Sequence, residues 1–351
     1  MPRTRVLILA ATVLALAPAA RGLAAAGEGA SRPEMITAET EKSIEAGLAY
    51  LAGTQARNGS WRSRTNYGVY PVAMTGLAGL ALMAGGNTTS EGPYADNVRR
   101  AVHFVLGQAG RNGLIAAMEE ESRSMYGHGF GMLFLAEAYG TEQDAELQRD
   151  IYRVLVRGIM LTARSQSGDG GWLYTPDANS DEGSVTVTQI QALRACRNAG
   201  IKVPKTTIER AATYIEKCAN PDGGISYSLR NRGQSRGPIT AAAVAVLYNA
   251  GQYENPVAHK AMEYTKRTLE DGGTRAFSGH QCYAMLYAGQ AMYLSSEENW
   301  KWFFSKYRDD LVHQQNKDGS WTGDSVGEVY GTACTLLVLQ LPYRYLPILQ
   351  R

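Results

Sequence analysis

Cysteine is scarce: four residues, Cys196, Cys218, Cys282 and Cys334, are spread over a chain of 351 residues. They are too few and too scattered for a disulfide scaffold. Three pairings are open and the spacing favours none, so most of them read as small buried apolar residues. An excess of one charge is missing too, with Lys+Arg 35 against Asp+Glu 33. Setting aside Arg3 and Arg5 leaves 33 against 33, which removes the basic surplus a nucleic-acid binder carries. No nucleic-acid partner is expected. Beyond the first 26 residues no run of about 18 uninterrupted apolar residues occurs, so nothing there is expected to span a bilayer. Phenylalanine and tryptophan are few, and 20 of the 31 aromatic rings are tyrosines.

What is present begins with a leader. Arg3 and Arg5 give Met1 to Ala26 a charged start and Val6 to Ala17 an apolar run. Ala17-Pro-Ala19 or Ala24-Ala-Ala26 supplies a small-residue cleavage pattern. This reads as a cleaved secretory signal, hence a secreted or periplasmic protein. Removing 26 of 351 residues leaves about 325, more than one ordinary core holds, so two domains or one repeat array are expected.

Repetition decides for the array. An Asn-Gly or Asp-Gly pair recurs at Asn58, Asn112, Asp169, Asp222, Asp271 and Asp318, at intervals of 54, 57, 53, 49 and 47 residues. An amphipathic stretch precedes each pair: Ser43 to Gln55, Val98 to Gln108, Ile151 to Gln166, Ile208 to Ala219, Val257 to Leu269 and Trp300 to Gln315. A more apolar stretch follows each: Tyr70 to Ala84, Gly129 to Tyr139, Val185 to Ala199, Ile239 to Ala250, Gln281 to Tyr293 and Val329 to Leu341. The second set must be buried on nearly all sides. Closing the array into a ring buries both its ends, which an open solenoid leaves exposed. The expected fold is all-α, an α/α toroid of six helical hairpins. Residues 27–42 would be a linker and 43–351 one toroid domain.

The turns carry a family resemblance. Gln55-Ala-Arg-Asn-Gly-Ser-Trp61, Gln166-Ser-Gly-Asp-Gly-Gly-Trp172 and Gln315-Asn-Lys-Asp-Gly-Ser-Trp321 share one pattern, with degenerate copies at Gln108 to Gly113 and Pro221 to Gly224. Glycine supplies positive φ, Asn or Asp bonds its own backbone, glutamine reaches the turn amides and tryptophan packs above. With its period, this resembles the repeat of the squalene cyclase and protein prenyltransferase superfamily over essentially the whole chain after the leader. The resemblance implies the toroid; it leaves activity open, since one fold hosts several functions.

The motifs that the resemblance would carry are eroded. The Asp-x-Asp-Asp-Thr acid of the squalene–hopene cyclase branch finds only Glu182-Gly-Ser-Val-Thr186. Alkene protonation needs a strong, preorganised acid, so Glu182 is a weak candidate. Asp309-Asp310 reads as a solvated face. The zinc motif of the prenyltransferase branch, Asp-x-Cys-Tyr with Ala-Gly, is similar to His280-Gln-Cys282-Tyr283 with Ala288-Gly289. Its Asp-x-Tyr-His-Thr element is similar to Glu328-Val-Tyr330-Gly331-Thr332. The implied triad then maps to His280, Cys282 and Gly331, and the third ligand is lost. Two ligands do not hold a catalytic zinc, unless Glu328 completes a set. No cofactor is expected, and zinc is the one metal that the pattern raises.

If all inner helices run one way, six helix N-termini meet at one mouth and attract anions mildly. The mouth is expected to present Tyr70, Tyr126, His128, Gln189, Tyr283 and Tyr330 as cavity residues. Three readings follow. The first is a toroid that binds an apolar or isoprenoid-like ligand, or a protein, without chemistry. The second is a divergent terpenoid cyclase or prenyltransferase-type enzyme, with Glu182 or Glu328 as acid and Tyr70, Tyr283 and Tyr330 stabilising cations. The third is a carbohydrate-active barrel, which needs two facing carboxylates where the inner helices offer essentially Glu328. A ring filled by side chains would favour a protein-interaction scaffold.

Overall fold

The computed structural model describes residues 32–63, 68–277 and 279–350. The chain divides after Arg32, and its second unit is Pro33–Arg351. The leader read at Met1 to Ala26 lies outside the described residues, as do Tyr67 and Ser278. Among the described residues of the second unit, outer and inner α-helices alternate. The outer set is α1 (Ala38–Thr54), α3 (Ala95–Gly107), α5 (Ala145–Arg164), α7 (Lys205–Lys217), α9 (Pro256–Gly272) and α11 (Glu297–His313). The inner set is α2 (Pro71–Ala84), α4 (Ser124–Thr141), α6 (Gly183–Asn198), α8 (Gly237–Asn249), α10 (Gln281–Ser295) and α12 (Glu328–Leu339). The expected hairpins are all there. Several start earlier than the apolar pattern indicates, because the caps lie upstream: Asp144 accepts from Glu146 N and Leu147 N, and Ser296 accepts from Asn299 N. Likewise α1 begins at Ala38, so five residues read as linker join the first helix.

Amphipathicity sorts the two sets. In α5, Leu147, Ile151, Val154, Leu155, Gly158 and Ile159 form one buried stripe. In α2 all fourteen residues are buried, as a helix apolar on every side requires. Each inner helix packs on its two inner neighbours, and α12 packs on both α10 and α2, so the ring closes. Gln340 donates across this seam to Ala81 O at 3.0 Å.

The repeated turn acts as a ratchet between hairpins. Gln55 Nε2 donates at 2.9 Å both to Gly59 O, in its own turn, and to Asn97 O, on the next outer helix. Gln166 does the same with Gly170 O and Thr207 O, and Gln315 with Gly319 O and Ser43 O. The turn glycines 59, 113, 170, 223 and 319 have positive φ. A Cβ added to any of them would lie under 3.0 Å from the backbone oxygen of Arg100, Arg157, Arg210, Lys260 or Ala46 respectively. Only glycine lets the turn seat on its neighbour. The tryptophans fasten each hairpin to itself: Trp61, Trp172 and Trp321 donate Nε1 to Leu51 O, Thr162 O and Leu311 O. Their own amides donate to Thr75, Thr186 and Thr332 on the inner helix, each at 3.0 Å. Hairpin five departs from the pattern. Asp271 and Gly272 end α9, and the reversal falls to Gly273, at φ +54°.

The centre of the ring is filled. Leu77, Phe130, Leu133, Leu286 and Leu337 converge with the C-terminal residues Leu346, Ile348 and Leu349 around a cavity of about 20 Å³. Gln191 donates to Gln290 at 2.7 Å and accepts from the Tyr287 hydroxyl at 3.2 Å beside it. Glu137 on α4 is also buried here, near Ile348 N, and keeps one oxygen unbonded. Burial pushes its carboxyl up to about 8. An inner-helix carboxylate besides Glu328 therefore exists, contrary to expectation, and it sits against the C-terminal tail.

Candidate mouth site

The inner helices start at one mouth, and three carboxylates reach their N-termini. Glu120 Oε1 accepts from Val72 N and Ala73 N of α2 at 3.0 Å, and its Oε2 accepts from Ala117 N at 3.1 Å. Glu182 caps its own helix, α6, through Ser184 N and Val185 N, and takes Ser184 Oγ at 2.7 Å. Asp324 accepts from Gln281 N and Cys282 N of α10 at 3.1 and 2.9 Å. Glu120 and Asp324 each cap the inner helix of the preceding hairpin, a pairing that local sequence does not reveal. The anion attraction expected of six bare N-termini is corrected accordingly: three already face a carboxylate. Burial pushes Glu120 up to about 7 and raises Glu182 above the ordinary carboxylate range.

A tyrosine cluster surrounds Glu182. The Tyr227 hydroxyl lies near its carboxylate and partly offsets the rise that burial causes. Tyr174 and Tyr227 share a hydroxyl bond of 2.8 Å, and Tyr126 bonds Ser184 Oγ at 2.6 Å. The Arg123 guanidinium lies 4.9 Å over the Tyr174 ring. Tyr283 packs on Tyr287 with centroids 4.7 Å apart, and its hydroxyl is buried with no hydrogen bond. Burial raises the Tyr126, Tyr283 and Tyr330 phenols well above their ordinary range. Nothing in the sequence singles out Tyr174 and Tyr227. They sit in loops, where no helical period marks them.

The other expected residues scatter. His128 is fully buried and leaves the set of cavity residues as a correction. Its Nδ1 accepts from Ile115 N at 3.2 Å and its Nε2 bonds Thr162 Oγ1 at 2.9 Å. It occupies the place taken by Thr75, Thr186, Thr240 and Thr332 in other hairpins, where the threonine hydroxyl receives the same turn amide. Burial lowers it to about 4, so it is a neutral structural partner. Gln189 is fully buried and ties α6 to Met125 O of α4 at 2.8 Å. Tyr70 stands at the head of α2 with φ +34°. Glu328 and Tyr330 open α12 half-buried. His280 is exposed, whereas the Cys282 thiol turns to Thr322 O at 3.5 Å. Among the described residues no three His, Cys, Asp or Glu side chains gather as a metal site.

No family model matches the chain. It is 27% identical over 125 residues to squalene–hopene cyclase of Bradyrhizobium diazoefficiens, a match covering 33% of this chain and 18% of that enzyme. The chain thus spans under a fifth of that relative's length. Among solved structures, the type II terpene cyclase MstE from Scytonema superposes with a TM-score of 0.56 at 14% identity, over 88% of this chain and 99% of that one. The α-1,6-mannanase GH76A from Salegentibacter sp. HEL1_6 gives 0.62 at 10% identity, over 87% and 99%. These likenesses support a squalene cyclase/prenyltransferase-like superfamily and an α/α toroid, a fold shared with carbohydrate enzymes.

Proposed function

We propose that this is an exported, secreted or periplasmic, binding toroid that engages a protein partner at its tyrosine-lined mouth. The filled centre carries the reading. A cavity of about 20 Å³ holds about one water molecule, whereas small-molecule sites run to roughly 300–1,000 Å³. Tyrosine, arginine and methionine concentrate in protein interfaces. The rim offers Tyr126, Tyr174, Tyr227 and Arg123, and Met118, 91% exposed, opens the 3₁₀ turn that ends at Arg123. The acid role suits Glu182 poorly: burial weakens it as an acid, and both its oxygens hold the start of α6. No cofactor enters the proposal. A photo-crosslinker at position 118 in the producing cell should trap one discrete protein, and one at exposed Lys205 should not. Equal labelling from both positions would sink the reading.

A second reading keeps an apolar, isoprenoid-like ligand or substrate, supported by the partial likeness to squalene–hopene cyclase. The Scytonema cyclase has been recorded with geranylgeranyl dihydroxybenzoate as substrate. Mass spectrometry of lipid extracted from the purified protein separates the two. Bound unmodified isoprenoid would replace the protein partner with an apolar ligand. A cyclised product lost in Glu182→Gln would make the chain an enzyme.

A further inference from the structure

The outer helix α5 has a face that the ring covers only in part: Val156 packs against the core, and Tyr152 lies on Tyr139 of α4 with ring centroids 6.0 Å apart. Tyr152 and Met160, 46% and 55% exposed, are two of the four large hydrophobic side chains that stand exposed among the described residues. Val156, half-buried, lies between them. The three sit four residues apart, so they form one stripe within roughly 80° of the helix. Overlapping that stripe and continuing past it is a row of exposed arginines, Arg149, Arg153, Arg157 and Arg164. Arg153 pairs with Asp150 at 3.0 Å, and Arg164 donates to Asn112 O at 3.1 Å. Among the described residues Arg149 and Arg157 form no ion pair. Arg111, also exposed, belongs to the turn seated on Arg157 and extends the row. Against these five cations the helix carries two carboxylates, Glu146 and Asp150.

We propose that this face docks the protein on an anionic lipid surface. The chemistry matches such a surface in each part. Arginine heads meet phosphate oxygens with several donors, and their stems lie along apolar surface. Tyrosine is amphipathic and methionine is flexible, so both settle at a headgroup boundary. The shape matches as well. α5 is a convex ridge about 30 Å long on the outside of a ring, which a deformable plane covers more fully than a rigid globular partner does. The contact is peripheral, since among the described residues no helix is long and apolar enough to cross a membrane. It is also independent of the mouth, so a partner bound there would be held at a membrane surface.

Sedimentation of the full chain with vesicles of phosphatidylcholine, alone or mixed with phosphatidylglycerol, tests this. Binding should require phosphatidylglycerol and fall as salt is raised, with the screening length. Arg149→Gln with Arg157→Gln should weaken it about 25-fold, about fivefold for each basic residue near such a surface. Tyr152→Ser with Met160→Ser should weaken it about tenfold through lost apolar contact. Arg3 and Arg5 are common to all variants, so the differences report α5 alone. Every substituted side chain is exposed, and an unchanged circular dichroism spectrum checks the fold. Equal binding to both vesicle types, or variants that bind like the parent, overturns the proposal. Capture by polyglutamate with indifference to vesicles also overturns it and makes the partner an acidic protein.

Discussion

Replacing the turn glycine at 170 by alanine probes the ratchet that builds the ring. Its φ is +102°, and the new Cβ would lie under 3.0 Å from Arg210 O of the next outer helix. The left-handed backbone alone costs about 1–2 kcal/mol for an L-residue. Relieving the contact moves the turn off α7, which loosens the two bonds from Gln166 Nε2, each contributing about 0.5–1.5 kcal/mol. The sum is about 2–5 kcal/mol. Gly53 is the control: it lies inside α1 with nothing within 4 Å of an added Cβ, so alanine there should stabilise by about 0.5–1 kcal/mol. Urea unfolding monitored by circular dichroism reads both as midpoint shifts at constant slope. Gly319→Ala sharpens the test, because its neighbour Ala46 belongs to the first helix. It should cost as much as Gly170→Ala if first and last hairpins are seated together, and only the backbone strain if they are not. A shift for Gly170→Ala no larger than that for Gly53→Ala would refute the ratchet.

Three further outcomes are expected. The raised carboxyls of Glu137 and Glu120, about 8 and about 7, favour the protonated folded form. Their contribution is complete below the unfolded value near 4.5 and is lost as pH rises through those folded values. Unfolding free energy should therefore fall by about 1.4 kcal/mol per pH unit per group in that window. Glu137→Gln should flatten the decline, and a parallel profile would dismiss Glu137 as its source. His128→Ala strands the Ile115 amide, takes one bond from the Thr162 hydroxyl, which still donates to Gly158 O, and opens a cavity, so about 2–5 kcal/mol should be lost. His128→Thr should recover part of this in the same denaturation assay, since threonine fills that place elsewhere. Gln315→Ala removes three bonds, two with Ser43 across the ring seam and one within its own turn, and should cost about 1.5–4.5 kcal/mol, visible as a lower melting temperature.

The likeness to cyclases and to a mannanase alike shows how little the toroid says of chemistry. Glu120, Glu182 and Asp324 hold helix starts, and His128 substitutes for a threonine in the turn. Partner and location rest on the proposals above and their tests.

Period and turn chemistry belong to the sequence alone. Glycine at a left-handed turn, Gln and Trp flanking it, and apolar runs on alternate helices are local constraints, so six hairpins and their order were legible residue by residue. Hairpin five departs from the sequence pattern where Asp271-Gly272 ends a helix instead of turning it, because the same pair tolerates both conformations. The mouth is legible in part: the sequence points to Glu182, Tyr126, Tyr283 and Tyr330 but not to Tyr174, Tyr227 or Asp324. These reach the mouth from loops or from a neighbouring hairpin. Ring closure decided which carboxylate meets which helix start, that His128 faces the wall, and that the C-terminal leucines and isoleucine stop the centre. Each of these depends on contacts between distant residues, and no local pattern in a chain encodes what will stand opposite it once the circle shuts.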